Sequence, residues 1–363
     1  MFLKGTLMMK RWLVMVFSLV MIFVLAACGG RSADVGSMEQ TDDNAEQKPQ
    51  TASDDAQPDN GSVDADTDRE EMSDENGGVS IVYMTTDISP EGLMAVYEAL
   101  GWRPEGNVAV KLSTGEPPAS NYLRPELIVD LVQAVDGTIV ECNTAYGGSR
   151  AETAMHYQVA EDHGFTAIAD FQILDEDGSM SLPVTGGTHL EENFVGAAFA
   201  DYDSYLILSH FKGHAMAGFG GAIKNISIGL GSSEGKSWIH TGGTSTRGIS
   251  GDQDAFLESM GEAGTAVVDA LDGRIVYINV MNRLSVDCDC NGNPAEPDMH
   301  DIGILASADP VALDQACVDL VYAAEDNDTL ITRIESRNGL HTLEYAEQIG
   351  LGSRTYELVN IDD

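Results

Sequence analysis

Between Ser209 and His240 the chain crowds together most of the residue types that carry chemistry. The stretch reads Ser209-His210-Phe211-Lys212-Gly213-His214-Ala215-Met216-Ala217-Gly218-Phe219-Gly220-Gly221-Ala222-Ile223-Lys224-Asn225, followed by Gly229-Leu230-Gly231, Gly235-Lys236 and His240. Three histidines and three lysines fall here, in a protein with 19 lysines and arginines in all. An imidazole titrates near neutral pH and serves as general acid, general base or metal ligand. A desolvated lysine becomes a base or a covalent tether. His210, Lys212, His214, Lys224, Lys236 and His240 are therefore candidates for catalysis or metal binding. Glycines let backbone amides approach a ligand closely, which makes Gly218, Gly220, Gly221, Lys224 and Asn225 candidates for holding a cofactor. A glycine-rich turn with solvated bases is the plainer alternative.

A second group lies at Asp287-Cys288-Asp289-Cys290, with His300 and Asp301 close behind. Thiolates and carboxylates suit a divalent ion, so Cys288 and Cys290 are also candidate metal ligands. On an extended chain their side chains point to opposite faces, which disfavours a bridge between them. A disulfide from either to Cys142 or Cys317 stays open in an oxidising compartment. No Cys-x-x-Cys-x-x-Cys run is present, so there is no ferredoxin-type iron–sulfur motif. Lys111 and Glu116 follow a predicted strand and could reach the same cleft or sit at a solvated strand end. Asp309 before Pro310 reads as a helix cap, and Cys317, in an apolar stripe, as a buried thiol. His156, His163 and His341 show no evident partner and read as structural or surface residues.

These residues need a scaffold. Runs rich in branched and aromatic residues predict strands at 79–84, 108–112, 138–142, 205–208, 274–280 and 302–306. Helical periodicity appears at 90–100, 125–135, 151–163, 254–271 and 310–322. Alternation of strand and helix implies an α/β fold for residues 79–363, with a mainly parallel sheet and helices on both faces, in one lobe or two intertwined ones. The glycine-rich stretch directly follows the strand at 205–208, and open α/β sheets bind ligands at such carboxyl ends.

The preceding residues have another character. Lys4, Lys10 and Arg11 precede an apolar run from Trp12 to Leu25 that ends in Leu25-Ala26-Ala27-Cys28. That order is a secretory leader, expected at 1–27. Its apolar run is short for a ~30 Å hydrocarbon core, and small residues before a cysteine are what a lipoprotein peptidase accepts. Cys28 is thus the expected lipidation site, with membrane lipid as its partner. From residue 31 to 78 there are fifteen acids, three bases and no aromatic residue. Such a segment cannot bury enough surface to fold, so 28–78 reads as an extended acidic tether. The net charge of −40 disfavours a nucleic-acid partner.

The motifs resemble a known family. His210-Phe-Lys-Gly-His214, the run from Gly218 to Asn225, Gly235-Lys236 and His240 are similar to the signature of domain of unknown function 362. Asn143-Thr-Ala-Tyr-Gly-Gly-Ser-Arg150, Cys288-Asp-Cys290 and Ser307-Ala-Asp-Pro-Val-Ala-Leu-Asp-Gln-Ala316 agree with it. More distantly, His214, Ala217, Gly218, Phe219, Gly221, Lys224 and His240 resemble the motif of the nickel-pincer lactate racemase family, with Ala222 and Ile223 as departures. That resemblance implies a covalent cofactor on Lys224, nickel on His240 and proton movement by His214. Export as an unfolded chain implies that any metal, zinc or nickel, is acquired outside the cell. The expectation is an extracytoplasmic lipoprotein with a metal- or anion-binding cleft of redox or isomerase-like ancestry, where glycine amides, Lys224 and Arg150 hold a small-molecule ligand. A ligand-binding or scaffold lipoprotein without chemistry is the alternative.

Overall fold

The computed structural model describes residues 79–362; the expected leader, the acidic tether and Cys28 lie outside the described residues. The strands are β1 (Ser80–Thr85), β2 (Val108–Lys111), β3 (Gly137–Glu141), β4 (Phe171–Ile173), β5 (Ser179–Pro183), β6 (Glu192–Gly196), β7 (Ser204–His210), β8 (Lys212–His214), β9 (Gly218–Gly220), β10 (Ile275–Met281), β11 (Gly303–Ser307) and β12 (Tyr356–Asn360). The helices are α1 (Pro90–Leu100), α2 (Pro125–Ala134), α3 (Thr153–Asp162), α4 (Ala222–Lys224), α5 (Ser233–His240), α6 (Gln253–Leu271), α7 (Pro310–Ala323), α8 (Asp328–Ser336) and α9 (His341–Gln348). Eight strands form one sheet in the order β12-β1-β11-β10-β7-β2-β3-β4, and β5-β6 and β8-β9 form separate pairs. Only β11 runs antiparallel to its two neighbours; the other pairings in the large sheet are parallel.

Strand β7 shows why the sequence folds this way. All seven of its residues are buried, as expected of a strand covered on both faces. Tyr205 and Ile207 pack into one core with Val267, Val311 and Leu343 of α6, α7 and α9. Leu206 and Leu208 pack into the other with Leu93, Ile128 and Leu131 of α1 and α2. Period-two alternation thus feeds two hydrophobic layers. One continuous sheet carries both layers, and the described residues belong to one compact unit; the alternative of two lobes gives way to one.

Local signals set the helix ends. The Ser89 side chain accepts from Gly92 N, Pro90 opens α1, and Gly101 closes it at φ 65°, a left-handed conformation that suits glycine. Asp309 accepts from the amides of Val311 and Ala312 at the start of α7, the capping role expected of it. Among the described residues no helix is long and apolar enough to cross a membrane.

Candidate active site

The chain leaves β2 toward β3 and β4 on one side, and leaves β7 toward β10 on the other. Connections that diverge in this way open a crevice at the carboxyl ends of the two strands. Lys111 ends β2 and His210 ends β7, and both line a cavity of about 110 Å³. Its wall also includes Glu141, Tyr146, Arg150, Lys212, His214, Gly220, Gly221, Lys224, Asn225, Lys236, His240, Cys288, Asp289 and Cys290. Residues that are far apart in sequence but were expected to share chemistry therefore meet in one place. Five cations and two carboxylates line the cavity, in a protein whose net charge is −40.

The two histidines hold complementary proton states. Nδ1 of His214 accepts from the backbone N–H groups of Met216 and Ala217, at 3.2 and 2.9 Å. Its proton must therefore sit on Nε2, making the free nitrogen a donor. His240 is reversed: Nδ1 lies 2.6 Å from the Lys236 carbonyl oxygen, which only accepts, so Nδ1 carries the proton and Nε2 keeps a lone pair. The His240 ring stacks on Phe256 at 4.6 Å between centroids, which fixes its plane. Burial, followed by the charges of Lys224 and neighbouring bases, holds His214 well below the usual histidine range. Burial likewise lowers His240 to about 4, against the opposing effect of its hydrogen bond to Lys236. Both rings are neutral at pH 7.

Lys224 is half-buried on the single turn α4, and its Nζ has no hydrogen-bond acceptor among the described residues. Burial, then repulsion from Lys212, Lys236, Lys111 and Arg150, lowers it to about 7. It is aimed by a device the sequence did not reveal. The buried carboxylate of Asp314 on α7 accepts from the amides of Ala222 and Ile223 at 2.7 and 3.0 Å and from Asn279 Nδ2 at 2.7 Å. A Cβ at Gly221 would collide with Asp314 and Asn279, so glycine is needed for this approach. These two amides, neither of them a glycine's, are therefore turned to Asp314.

The other bases are anchored to the frame. Lys111 Nζ donates to Leu112 O and Asn225 Oδ1 at 2.7 and 3.0 Å, and burial lowers it to about 8. Lys236 Nζ donates to Gly231 O. Arg150 binds Glu141 at 2.8 Å and Glu116 at 3.3 Å, so its expected anion-binding charge is already countered. Asn225 Nδ2 donates to Lys111 O, Leu208 O and Ser209 Oγ, which makes it a brace between β2 and β7. His156, expected to lack a partner, is buried and holds Glu141 Oε2 at 3.0 Å and Asn143 Oδ1 at 3.2 Å.

Four expected site residues stand differently from the sequence reading. His210 is not placed to ligate a metal: Nδ1 faces Asp289 at 3.0 Å and Nε2 faces Asn282 O at 2.6 Å, so both ring nitrogens meet acceptors. Gly218 does not line the cavity; its φ of 81° and its closeness to Gly339 and Ile334 explain the glycine. Cys288 and Cys290 are joined to each other in a disulfide with Cα atoms 5.2 Å apart. The expectation against that bridge assumed an extended chain, whereas here the backbone turns, with Asn291 N donating to Cys288 O at 2.9 Å. A ring nitrogen of His214 and the two sulfurs lie within 4.8 Å of one another, a spacing that suits a metal ion only once the disulfide is opened to thiolates. Cys142 and Cys317 are free and buried. Asp289, read as one of the carboxylates suited to a metal, instead pairs with His210 and Lys212, and Glu141 and Asp314 were missed as contributors to the site because no local motif records their partners.

The sequence profile of the family described as domain of unknown function (DUF362) matches residues 108–319, more than half of the chain. No curated protein matches. Among solved structures, the lactate racemase apoprotein from Thermoanaerobacterium thermosaccharolyticum is similar at 12% identity and a TM-score of 0.42, over 67% of this chain and 57% of that one. A structural-genomics protein from Thermotoga maritima is similar at 12% identity and a TM-score of 0.37, over 71% of this chain and 58% of that one. The chain thus spans less than two thirds of the length of either structure.

Proposed function

The chain belongs to the DUF362 family, and from that premise and the pocket we propose that it is an exported lipoprotein enzyme that moves a proton at a carbon next to the carboxylate of a small organic acid. The observation that carries this reading is the convergence of Lys224, His214 and His240 on one small cationic cavity. An unpartnered amine lowered to about 7 is half-deprotonated at neutral pH, where a general base works best. A neutral imidazole with an outward N–H, as at His214, polarises a carbonyl or carboxyl oxygen without first taking up a proton. His240 offers its Nε2 lone pair to a substrate hydroxyl or a metal ion. The excess of cations over carboxylates around the cavity attracts the acid.

The metal reading draws on the same residues. A neutral imidazole with its second nitrogen bonded to a carbonyl is the usual form of a metal-bound histidine, so zinc or nickel fits His240. An amine near neutrality suits Lys224 as a covalent tether. When bound, such an ion supplies Lewis acidity to the acid's oxygens. The cysteines would join this set only after reduction. The lipoprotein assignment rests on Leu25-Ala26-Ala27-Cys28 and the acidic segment that follows.

The test is proton exchange in deuterated water. The purified protein, with and without added zinc or nickel, is incubated with a panel of 2-hydroxy and 2-amino acids, and loss of the C–H signal beside the carboxylate is followed by NMR. The expected rate rises through about pH 7 as Lys224 loses its proton, and Lys224→Met abolishes it. Binding of these acids without exchange supports the non-catalytic ligand-binding alternative. Absence of both binding and exchange removes the small-acid reading.

A further inference from the structure

The loop bearing the cysteine pair is held in place without its disulfide. Asp289, between the two cysteines, is buried and binds His210 Nδ1 and Lys212 Nζ, each at 3.0 Å. Its carbonyl accepts from Glu116 N at 2.7 Å. Downstream, Gly292 O accepts from Ala119 N at 3.0 Å and Ala295 N donates to Asp287 at 3.0 Å. Upstream, Ser285 O accepts from Gly213 N at 2.8 Å. The bridge itself spans a sequence separation of only two, the loop length from which a crosslink draws least leverage on the unfolded chain. A staple is therefore not what this disulfide is for.

Its surroundings suit reaction. Cys288 is buried and Cys290 is partly exposed, and both line the cavity that contains His214 and Lys224. One ring nitrogen of His214 lies within 4.8 Å of both sulfurs, and Lys212 and Lys224 line the same cavity. An adjacent imidazole and nearby cations favour a thiolate, the form that leaves when a disulfide opens and attacks when it closes.

We propose that Cys288–Cys290 is a two-electron thiol–disulfide centre that opens to a small thiol entering the pocket. The thiolate of the small molecule attacks Sγ of Cys290, the more exposed sulfur, and forms a mixed disulfide as the Cys288–Cys290 bond breaks. Cys288 leaves as a thiolate beside the His214 ring. A second small thiolate attacks the mixed disulfide at its own kind of sulfur and releases Cys290. Two small thiols are thereby oxidised to one small disulfide while the pair is reduced to a dithiol, and an oxidised small disulfide reverses the sequence. This activity is separate from proton exchange, so either may fail without the other.

The experiment uses the full-length protein under native conditions, treated with 2-mercaptoethanol or, in a second arm, with a reduced thioredoxin-like protein dithiol. Free thiols are trapped with iodoacetamide and located by peptide mass spectrometry. The expected result is alkylation of Cys288 and Cys290 but not of the buried Cys142 and Cys317, with unchanged circular dichroism. Oxidised 2-mercaptoethanol should restore the bridge before trapping. His214→Gln should slow alkylation of the reduced pair about tenfold, the effect of losing one pKa unit of thiolate stabilisation. Reduction that requires denaturant, or that unfolds the protein, overturns the proposal. Reduction by the protein dithiol alone overturns the assignment of a pocket-sized thiol. Stoichiometric zinc that shields the reduced pair from alkylation shows a metal site instead.

Discussion

Two sets of charged groups meet at the carboxyl ends of the strands, and they are treated in opposite ways. Around Glu141 every valence is matched: its carboxylate takes Arg150, His156 and both the amide and hydroxyl of Thr114. Around Lys224 valences are left open: the amine lacks an acceptor, His214 presents an unused N–H and His240 an unused lone pair. Buried charge is tolerated when paired and hydrogen-bonded, and is otherwise pushed toward neutrality. The Glu141 set is therefore the frame. The Lys224 set stores reactivity, and the frame is what holds it in that unfavourable state.

The strongest way to break this contrast is to unpair the frame. Glu141→Ala leaves Arg150 and His156 buried without their shared anion and should lower unfolding free energy by about 3–5 kcal/mol, measured by urea titration. The wild type carries the matching acid signature. Burial raises Glu141, but Arg150 and His156 outweigh it and hold the carboxyl well below 4.5. The stability it contributes is complete above its unfolded value and is lost as pH falls below about 4.5 toward the lowered folded value. The Ala variant should show a shallower loss over that range.

A smaller effect is expected where frame and reactive set join. Asp314→Ala removes the acceptor for the amides of Ala222 and Ile223 and should cost about 1–3 kcal/mol. Because these amides orient α4, proton exchange should fall more than this loss of stability explains. A normal exchange rate in a folded Asp314→Ala variant means that Lys224 needs no such aiming.

The next change has the opposite sign. Lys224→Met removes an unfavourable ammonium and should raise the melting temperature below pH 7, by roughly 2–4 °C for each kcal/mol relieved, while abolishing exchange. The folded-state value of about 7 lies below the unfolded 10.5, so the penalty on the charged lysine is fully present below pH 7. It fades as pH rises toward 10.5, and the advantage of methionine should fade over the same window. An advantage that is constant with pH would point to packing rather than charge.

The smallest expected effect on the fold comes from a residue outside the described ones. Cys28→Ser should release the protein from the membrane fraction and prevent incorporation of labelled fatty acid, with no change in the melting temperature. Retention after alkaline washing means that the apolar run, not a lipid, is the anchor.

The scaffold was legible because its signals are local. All five helices expected from periodicity occur, with α1 running from Pro90 to Leu100 as read and α6 within a residue of its expected start. Among the unpredicted elements, α4, β4, β8 and β9 are three residues long, too short for periodicity to register, whereas β5, β6, β12, α5, α8 and α9, of five to nine residues, went unread for want of a strong pattern. In the site, Lys224, His214 and His240 were marked by a family resemblance, and all three line one cavity. Sequence alone could not say which histidine donates, because the Ala217 amide and the Lys236 carbonyl decide this through side-chain geometry. It could not distinguish Arg150 from Lys224 as an available cation, since that depends on Glu116 and Glu141 arriving from other strand ends. It could not foresee a Cys288–Cys290 bridge, because a backbone turn replaces the extended chain that would keep the sulfurs apart. Composition and spacing determine which groups are present; only the packing of distant segments decides which of them have partners, and an unpartnered group is the one left to react.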